Sequence, residues 1–262
     1  MITIKFVIIA EENGTLENPG ILLRAAIIKK ISRYDPQFAR KIHTPKHWGL
    51  APYSIRPIKP ANITREQIKY YPQKLSIYQG KEYDFEITIL DKEITQSMLK
   101  ILTEREKLQL GSIKFHTSYI TLQKYGKIES QPQKKIQISF QSPTYFKSKD
   151  RPGILVLLPL PELIVASAAR IWNKYICNQY NVSTLIEKSK KQIKITAHKL
   201  RTIPPMKISK NRSMIGFIGK ATYEIVDNEL AEIFTKLIRL AEITNIGGSR
   251  TAGFGVIKIF FK

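Results

Sequence analysis

A single cysteine, Cys177, stands in the whole 262-residue chain. One thiol excludes an internal disulfide and a Cys-based zinc finger. It follows Trp172 and Tyr175 in an apolar, helix-like stretch, so its expected place is the core. Acidic residues are scarce: 21 Asp and Glu stand against 43 Lys and Arg, a formal net charge of +22. That excess is more than solubility asks for, and it points to a polyanion whose counterions are released as Lys and Arg replace them. The carboxylates are scattered, with Glu11-Glu12 an isolated, solvated pair, and no spaced set suits two ions; no metal and no cofactor is expected. No apolar run approaches the roughly 20 residues that span a bilayer. The opening strand-like stretch turns polar too soon for a secretory leader. A protein of the reducing cytoplasm with no membrane partner is the expectation.

What is present reads as two halves of one plan. Ile2, Ile4, Phe6 and Ile8 share one face of an opening strand. A helix follows over residues 21–33, with Leu22, Ala25, Ala26 and Lys29 near one helical spacing, and Asp35-Pro36 restarts it over residues 38–42. Strands over 53–58, 83–90 and 113–122 flank a helix over 95–106. The order β-α-β-β-α-β is that of a ferredoxin-like domain. The second half gives a strand over 137–140, a helix over 161–180, strands over 192–201 and 213–226, a helix over 228–242 and a closing strand over 256–261. The expected architecture is therefore α+β: two tandem ferredoxin-like domains, 1–130 and 131–262, packed together because no low-complexity linker parts them.

Two features of the second half carry chemistry. The first is the turn Asn245-Ile246-Gly247-Gly248-Ser249-Arg250-Thr251-Ala252-Gly253-Phe254-Gly255, which runs from helix into strand. It is neither a Walker loop nor a dinucleotide fingerprint, both of which run from strand into helix. Its glycines either let backbone N–H groups and Arg250 hold phosphate or only let the turn pack tightly. The second is a run of nine bases without one acid: Lys188, Lys190, Lys191, Lys194, Lys199, Arg201, Lys207, Lys210 and Arg212. So one-sided a run reads as a phosphate track, with Pro204-Pro205 as the expected hairpin tip. Lys134 and Lys135 add charge at the domain junction. Tyr70, Tyr71 and Tyr78 are candidates for stacking on bases or for plain core and surface roles.

The turn Gly247-Gly248-Ser249-Arg250-Thr251-Ala252-Gly253-Phe254-Gly255, closing a basic two-part chain, resembles the glycine-rich loop of the RAMP superfamily. Within it the chain resembles the CRISPR-associated endoribonucleases that process repeat RNA. Phe140-Gln141-Ser142-Pro143-Thr144-Tyr145-Phe146 resembles the segment that opens their second domain, and residues 216–223 resemble their later hairpin. His43, seven residues before Leu50-Ala51-Pro52-Tyr53-Ser54, resembles their active-site region.

The resemblance implies a metal-independent cut in which the RNA's own 2′-hydroxyl attacks the neighbouring phosphate, giving a 2′,3′-cyclic phosphate and a 5′-hydroxyl. That reaction needs a base, an acid and a cation on the phosphorane. His43 resembles the family's catalytic position, His47 is the alternative, and Lys46 is the nearest cation. His116 reads as structural and His198 as an RNA contact. Where some members carry a tyrosine in the first helix, this chain has Ile28, a departure from the triad. The implied partners are precursor and mature CRISPR RNA and other proteins of a CRISPR effector complex, with the chain a monomer or homodimer. The rival expectation is a subunit that binds repeat RNA without cutting it. An unrelated RNA-recognition protein lacks support, since no aromatic-rich RNP motif is present.

Overall fold

The computed structural model describes residues 1–43, 49–104, 107–147, 153–209 and 212–261. They form two compact units: Met1–Gly126 with Arg250–Gly253, and Lys127–Ser249 with Phe254–Lys262. Four residues of the glycine-rich turn thus belong to the first unit although the chain around them belongs to the second.

The first unit opens with β1 (Ile2–Ala10), β2 (Gly14–Glu17), α1 (Pro19–Tyr34), α2 (Pro36–His43) and β3 (Tyr53–Pro60). It continues with β4 (Lys74–Ile77), β5 (Glu82–Ile89), α3 (Lys92–Thr103), β6 (Leu108–Leu110) and β7 (Ile113–Lys124). The main sheet is antiparallel in the order β3-β5-β1-β7-β6. Leaving out the short edge strand β6, its four strands lie in the sequence second-third-first-fourth of a ferredoxin-like fold. Alternation puts Ile4, Phe6 and Ile8 of β1 in one core with Phe85, Ile87 and Ile89 of β5. The Phe6 and Phe85 rings stack at 4.8 Å.

α1 starts on Pro19, which needs no N–H there. It buries Leu23, Ile27 and Ile31 at four-residue spacing, while Leu22 and Ala26 only flank the core. Pro36 cannot continue the helix. The Asp35 carboxylate accepts the Phe38 N–H at 2.8 Å and starts α2 as a separate piece.

The second unit comprises β8 (Lys135–Thr144), β9 (Phe146–Lys147), β10 (Leu155–Val156), α4 (Pro161–Tyr175) and α5 (Val182–Gln192). β11 (Ile193–Ser209), β12 (Arg212–Ile225), α6 (Asn228–Thr244), a 3-10 turn (Arg250–Ala252, counted with the first unit) and β13 (Ile257–Phe261) follow. Its sheet runs β11-β12-β8-β13, again second-third-first-fourth, and all its pairings are antiparallel. The fold is α+β, as expected.

Three expectations fail in this half. The helix expected over 161–180 ends at Tyr175, and a separate helix, α5, follows. The Asn173 carboxamide accepts the Tyr180 N–H at 2.9 Å and donates to its carbonyl at 2.6 Å, and Asn181 caps α5 through the Thr184 N–H. These side chains offer the backbone a better bargain than another helical turn. Cys177 therefore sits at a corner and is exposed rather than in the core. Finally, Pro204-Pro205 is no hairpin tip: the β11–β12 ladder continues past a register shift at Ile203/Met206 to the pair Ser209–Arg212. Proline is tolerated there because β11 is an edge strand and the shift removes the need for two N–H donors.

Candidate nucleic-acid interface

The basic run divides between two elements. Lys188, Lys190 and Lys191 lie on α5, and two of them meet acids outside the counted run: Lys188 pairs with Glu229 at 3.3 Å and Lys190 with Glu187 at 2.9 Å. Lys194, Lys199, Arg201 and Lys207 lie on β11, all exposed. Lys199 and Arg201 are two residues apart with no register shift between them, so they share a face. Directly across the ladder from Lys199 stands Lys220 of β12, also exposed. Like charges opposite each other repel, and an anion laid across them relieves that repulsion. Lys220 was absent from the sequence candidates because it falls in an apolar stretch, and only the cross-strand register brings it to Lys199. Its ammonium lies 5.6 Å from the centre of the Phe260 ring. His198 is exposed on the same strand. Lys210 lies outside the described residues, and Arg212 begins β12 opposite Ser209.

The glycine-rich turn is built for close packing. Gly247, Gly253 and Gly255 hold φ of 72°, 80° and 71°. A Cβ at Gly248 would lie 2.3 Å from the Tyr145 ring, and one at Gly255 would lie 1.7 Å from the Ile246 carbonyl oxygen. The N–H groups expected to face phosphate have protein partners. Gly247 donates to Ser167 Oγ at 2.9 Å, Gly248 to the Tyr145 carbonyl at 3.1 Å and Gly255 to the Pro143 carbonyl at 3.0 Å. Gly253 donates to the Arg250 carbonyl at 3.3 Å. Ser249 Oγ and the Tyr145 hydroxyl are hydrogen-bonded at 2.7 Å. Gly247, Gly248, Ser249 and Thr251 remain half-buried at the surface, while Gly253 and Gly255 are buried. Arg250 is 4% exposed and donates from Nη2 to the Ala51 carbonyl at 3.0 Å. Tight packing, the second of the two uses read from the sequence, accounts for the glycines' geometry.

In the first unit, His43 is the last residue of α2, whose Ala39 and Ile42 are buried in the core. Lys46 and His47 lie outside the described residues. Beyond them, Pro52 accepts the Leu90 N–H at 2.8 Å and Tyr53 pairs with Ile89 of β5. Burial pushes the Tyr53 hydroxyl up from its ordinary value, and the charge and hydrogen bond of Arg24 offset part of that rise. Both flanks of residues 44–48 are therefore anchored in one core. His116 is half-exposed on β7, with Nδ1 3.6 Å from Glu11.

The sheet face turned away from the first core carries charge that the sequence did not reveal. Lys59 and Lys5 meet Asp84 at 2.8 and 3.0 Å, and Arg65 and Arg56 both meet Glu86. Burial pushes the Glu86 carboxyl up, but the Arg65 hydrogen bond and the charges of Arg56 and Arg65 outweigh it and hold the group below its ordinary value. Tyr71 lies buried beside them and is pushed up to about 12, chiefly by burial. Among the stacking candidates, only Tyr70 and Tyr78 are therefore accessible, at 43% and 61% exposure. Among the described residues no group of three or more His, Cys, Asp or Glu side chains has the geometry to hold a metal ion, and no helix is long and apolar enough to cross a membrane.

Comparison with known proteins agrees with this architecture. A family model described as CRISPR-associated endoribonuclease Cas6 matches residues 138–257. No curated protein matches the sequence. A solved Cas6 product complex is similar over 99% of each chain, with 20% identity and a TM-score of 0.77. The Cas6 of Thermus thermophilus is similar over 99% of this chain and 98% of its own, at 18% identity and TM-score 0.70. A RAMP protein described as binding different RNA substrates covers 99% and 100%, at 13% identity and TM-score 0.61. At such identities the solved structures establish the fold.

Proposed function

We propose that this chain is a Cas6-type CRISPR-associated endoribonuclease, which binds CRISPR repeat RNA and cuts precursor CRISPR RNA within the repeats; the family model over residues 138–257 and the shared fold support that reading. The observation that carries the proposal is the basic edge strand β11, with Lys199 and Arg201 on one face and Lys220 opposite Lys199. An A-form repeat stem has a deep, narrow major groove that side chains cannot read and shows its 2′-hydroxyls in the shallow minor groove, so recognition falls on phosphates and shape, which a row of cations suits. The solved relatives, described as product, substrate-mimic and RNA-binding complexes, support the same substrate class.

In this reading cleavage needs no metal, and the nucleophile is the RNA's 2′-hydroxyl. As it attacks, its proton passes to a base, negative charge grows on the phosphorane, and the leaving 5′-oxygen takes a proton from an acid. His43 serves as general acid or base, with His47 as the alternative for that role, and Lys46 stabilises the phosphorane. The products are a 2′,3′-cyclic phosphate and a 5′-hydroxyl, and mature CRISPR RNA remains a partner. The two units act as two domains, with the candidate acid–base residues in the first and the basic edge strand in the second.

One observation favours a second reading: Ile28 stands where some members carry a helix tyrosine, which suits a subunit of an effector complex that holds repeat RNA without turnover. A gel of repeat RNA incubated in excess EDTA with wild type and H43A decides between them. One cut by wild type and none by H43A is the expected result. Tight binding by both without a cut refutes the enzyme and leaves the binding subunit.

A further inference from the structure

By residue type and setting, Arg250 looks like a phosphate ligand: a cation inside a glycine-rich turn of a basic protein. Its geometry is different. The side chain is 4% exposed and its Nη2 donates to the Ala51 carbonyl at 3.0 Å. The turn that carries it is locked to the same unit at two further points. A Cβ at Gly20 would lie 2.4 Å from the Ala252 carbonyl oxygen, and a Cβ at Gly253 would lie 2.6 Å from Pro57 Cγ. No side chain larger than hydrogen fits at either place without moving backbone or a proline ring. Ala51 stands eight residues after His43 and four after His47 in the chain, and it leads directly into Tyr53, the buried first residue of β3.

We propose that Arg250 is a positioning residue for the cutting reaction: by holding the Ala51 carbonyl it fixes the C-terminal flank of the His43–His47 segment, and it does not bind RNA phosphate. The inference rests on reading that segment as the one that cuts. Arg250 reaches Ala51 although the two are 199 positions apart in sequence. A guanidinium is a permanent cation in proteins, so its hydrogen bond to the carbonyl is charge-assisted and stronger than a neutral one. Acid–base catalysis is steeply sensitive to placement, a shift of about 1 Å costing roughly 100-fold in rate. RNA affinity, summed over many exposed cations, is indifferent to such a shift.

Full-length wild type, R250A and R250K test this with two RNAs. Repeat RNA with a 2′-deoxy sugar at the cut site gives affinity and its salt dependence; unmodified RNA gives the single-turnover rate. R250A is expected to cut roughly 100-fold more slowly. Its affinity should stay within about 2-fold of wild type with an unchanged salt slope. R250K, which retains a donor for the carbonyl, is expected to recover part of the rate. A phosphate ligand would behave oppositely, losing affinity and about one unit of salt slope; that result, or wild-type cutting by R250A, overturns the proposal. If R250A does not fold, R250K decides: slower cutting at unchanged affinity and slope supports positioning, and any other pattern overturns it. A wild type that binds but does not cut refutes the proposed enzyme itself, and so is distinct from a wild type that cuts while R250A only loses affinity.

Discussion

Replacing Lys194, Lys199, Arg201 and Lys207 together by Gln removes four exposed cations from β11. Each side chain lies on the outer edge of a sheet, where substitution changes stability by about 0.5 kcal/mol or less. If each neutralises one phosphate of the RNA stem, the slope of log K against log salt becomes shallower by roughly 3.6 on the duplex coefficient. Between about 50 and about 200 mM salt, the affinity gap between wild type and variant then narrows roughly 150-fold. The assay is fluorescence anisotropy of a labelled, 2′-deoxy-blocked repeat RNA across that salt range, with thermal unfolding to confirm the fold. A control variant with Lys188, Lys190 and Lys191 changed to Gln should move the slope less, because Glu229 and Glu187 already meet two of those ammonium groups. An unchanged slope in the β11 variant refutes the phosphate track. The lysines would then serve only to keep another chain from pairing with an exposed strand edge, a common use of charge at that position.

Further outcomes follow from the packing. Gly255→Ala places a methyl 1.7 Å from the Ile246 carbonyl oxygen at φ 71°, and a loss of about 3 kcal/mol or more is expected in denaturant unfolding. Gly80→Ala has the same sign of φ, 75°, but open space around the new methyl, so only about 1 kcal/mol should be lost. The Glu86 carboxyl is held below its ordinary value in the fold, so its contribution is complete above the unfolded carboxylate range and fades as pH falls through the folded value. The Tm of wild type should therefore drop on acidification more steeply than that of E86Q; parallel curves would show that Glu86 is not the group responsible. Cys177, exposed at its corner, should react with an aromatic disulfide reagent in the native protein within minutes, whereas protection until unfolding would place it in the core after all.

Much of the fold was legible because it rests on short-range rules. The alternation of Ile4, Phe6 and Ile8, the Asp35-Pro36 break and the apolar face of α6 each reflect a local period or a local steric limit. The corner at Asn173–Asn181 was not legible, since its apolar neighbours read as one long helix and the competing hydrogen bonds come from side chains eight residues apart. Nor was the charged layer of Lys59, Asp84, Arg56 and Glu86, because alternating charges on a strand look solvated until something covers them.

By itself the sequence determined that this chain is a strongly basic, disulfide-free protein of two βαββαβ halves, and that its glycine-rich turn and basic run are the places to look. Composition and periodicity survive any rearrangement of the rest of the chain, which is why they could be read without it. Which cation stands beside which was decided by tertiary structure alone. Lys220 meets Lys199 only through a ladder register, and Lys188 and Lys190 are answered by acids that the linear count passed over. Arg250 turns from an expected phosphate ligand into a buried donor to Ala51 because the fold brings together residues 199 positions apart in sequence.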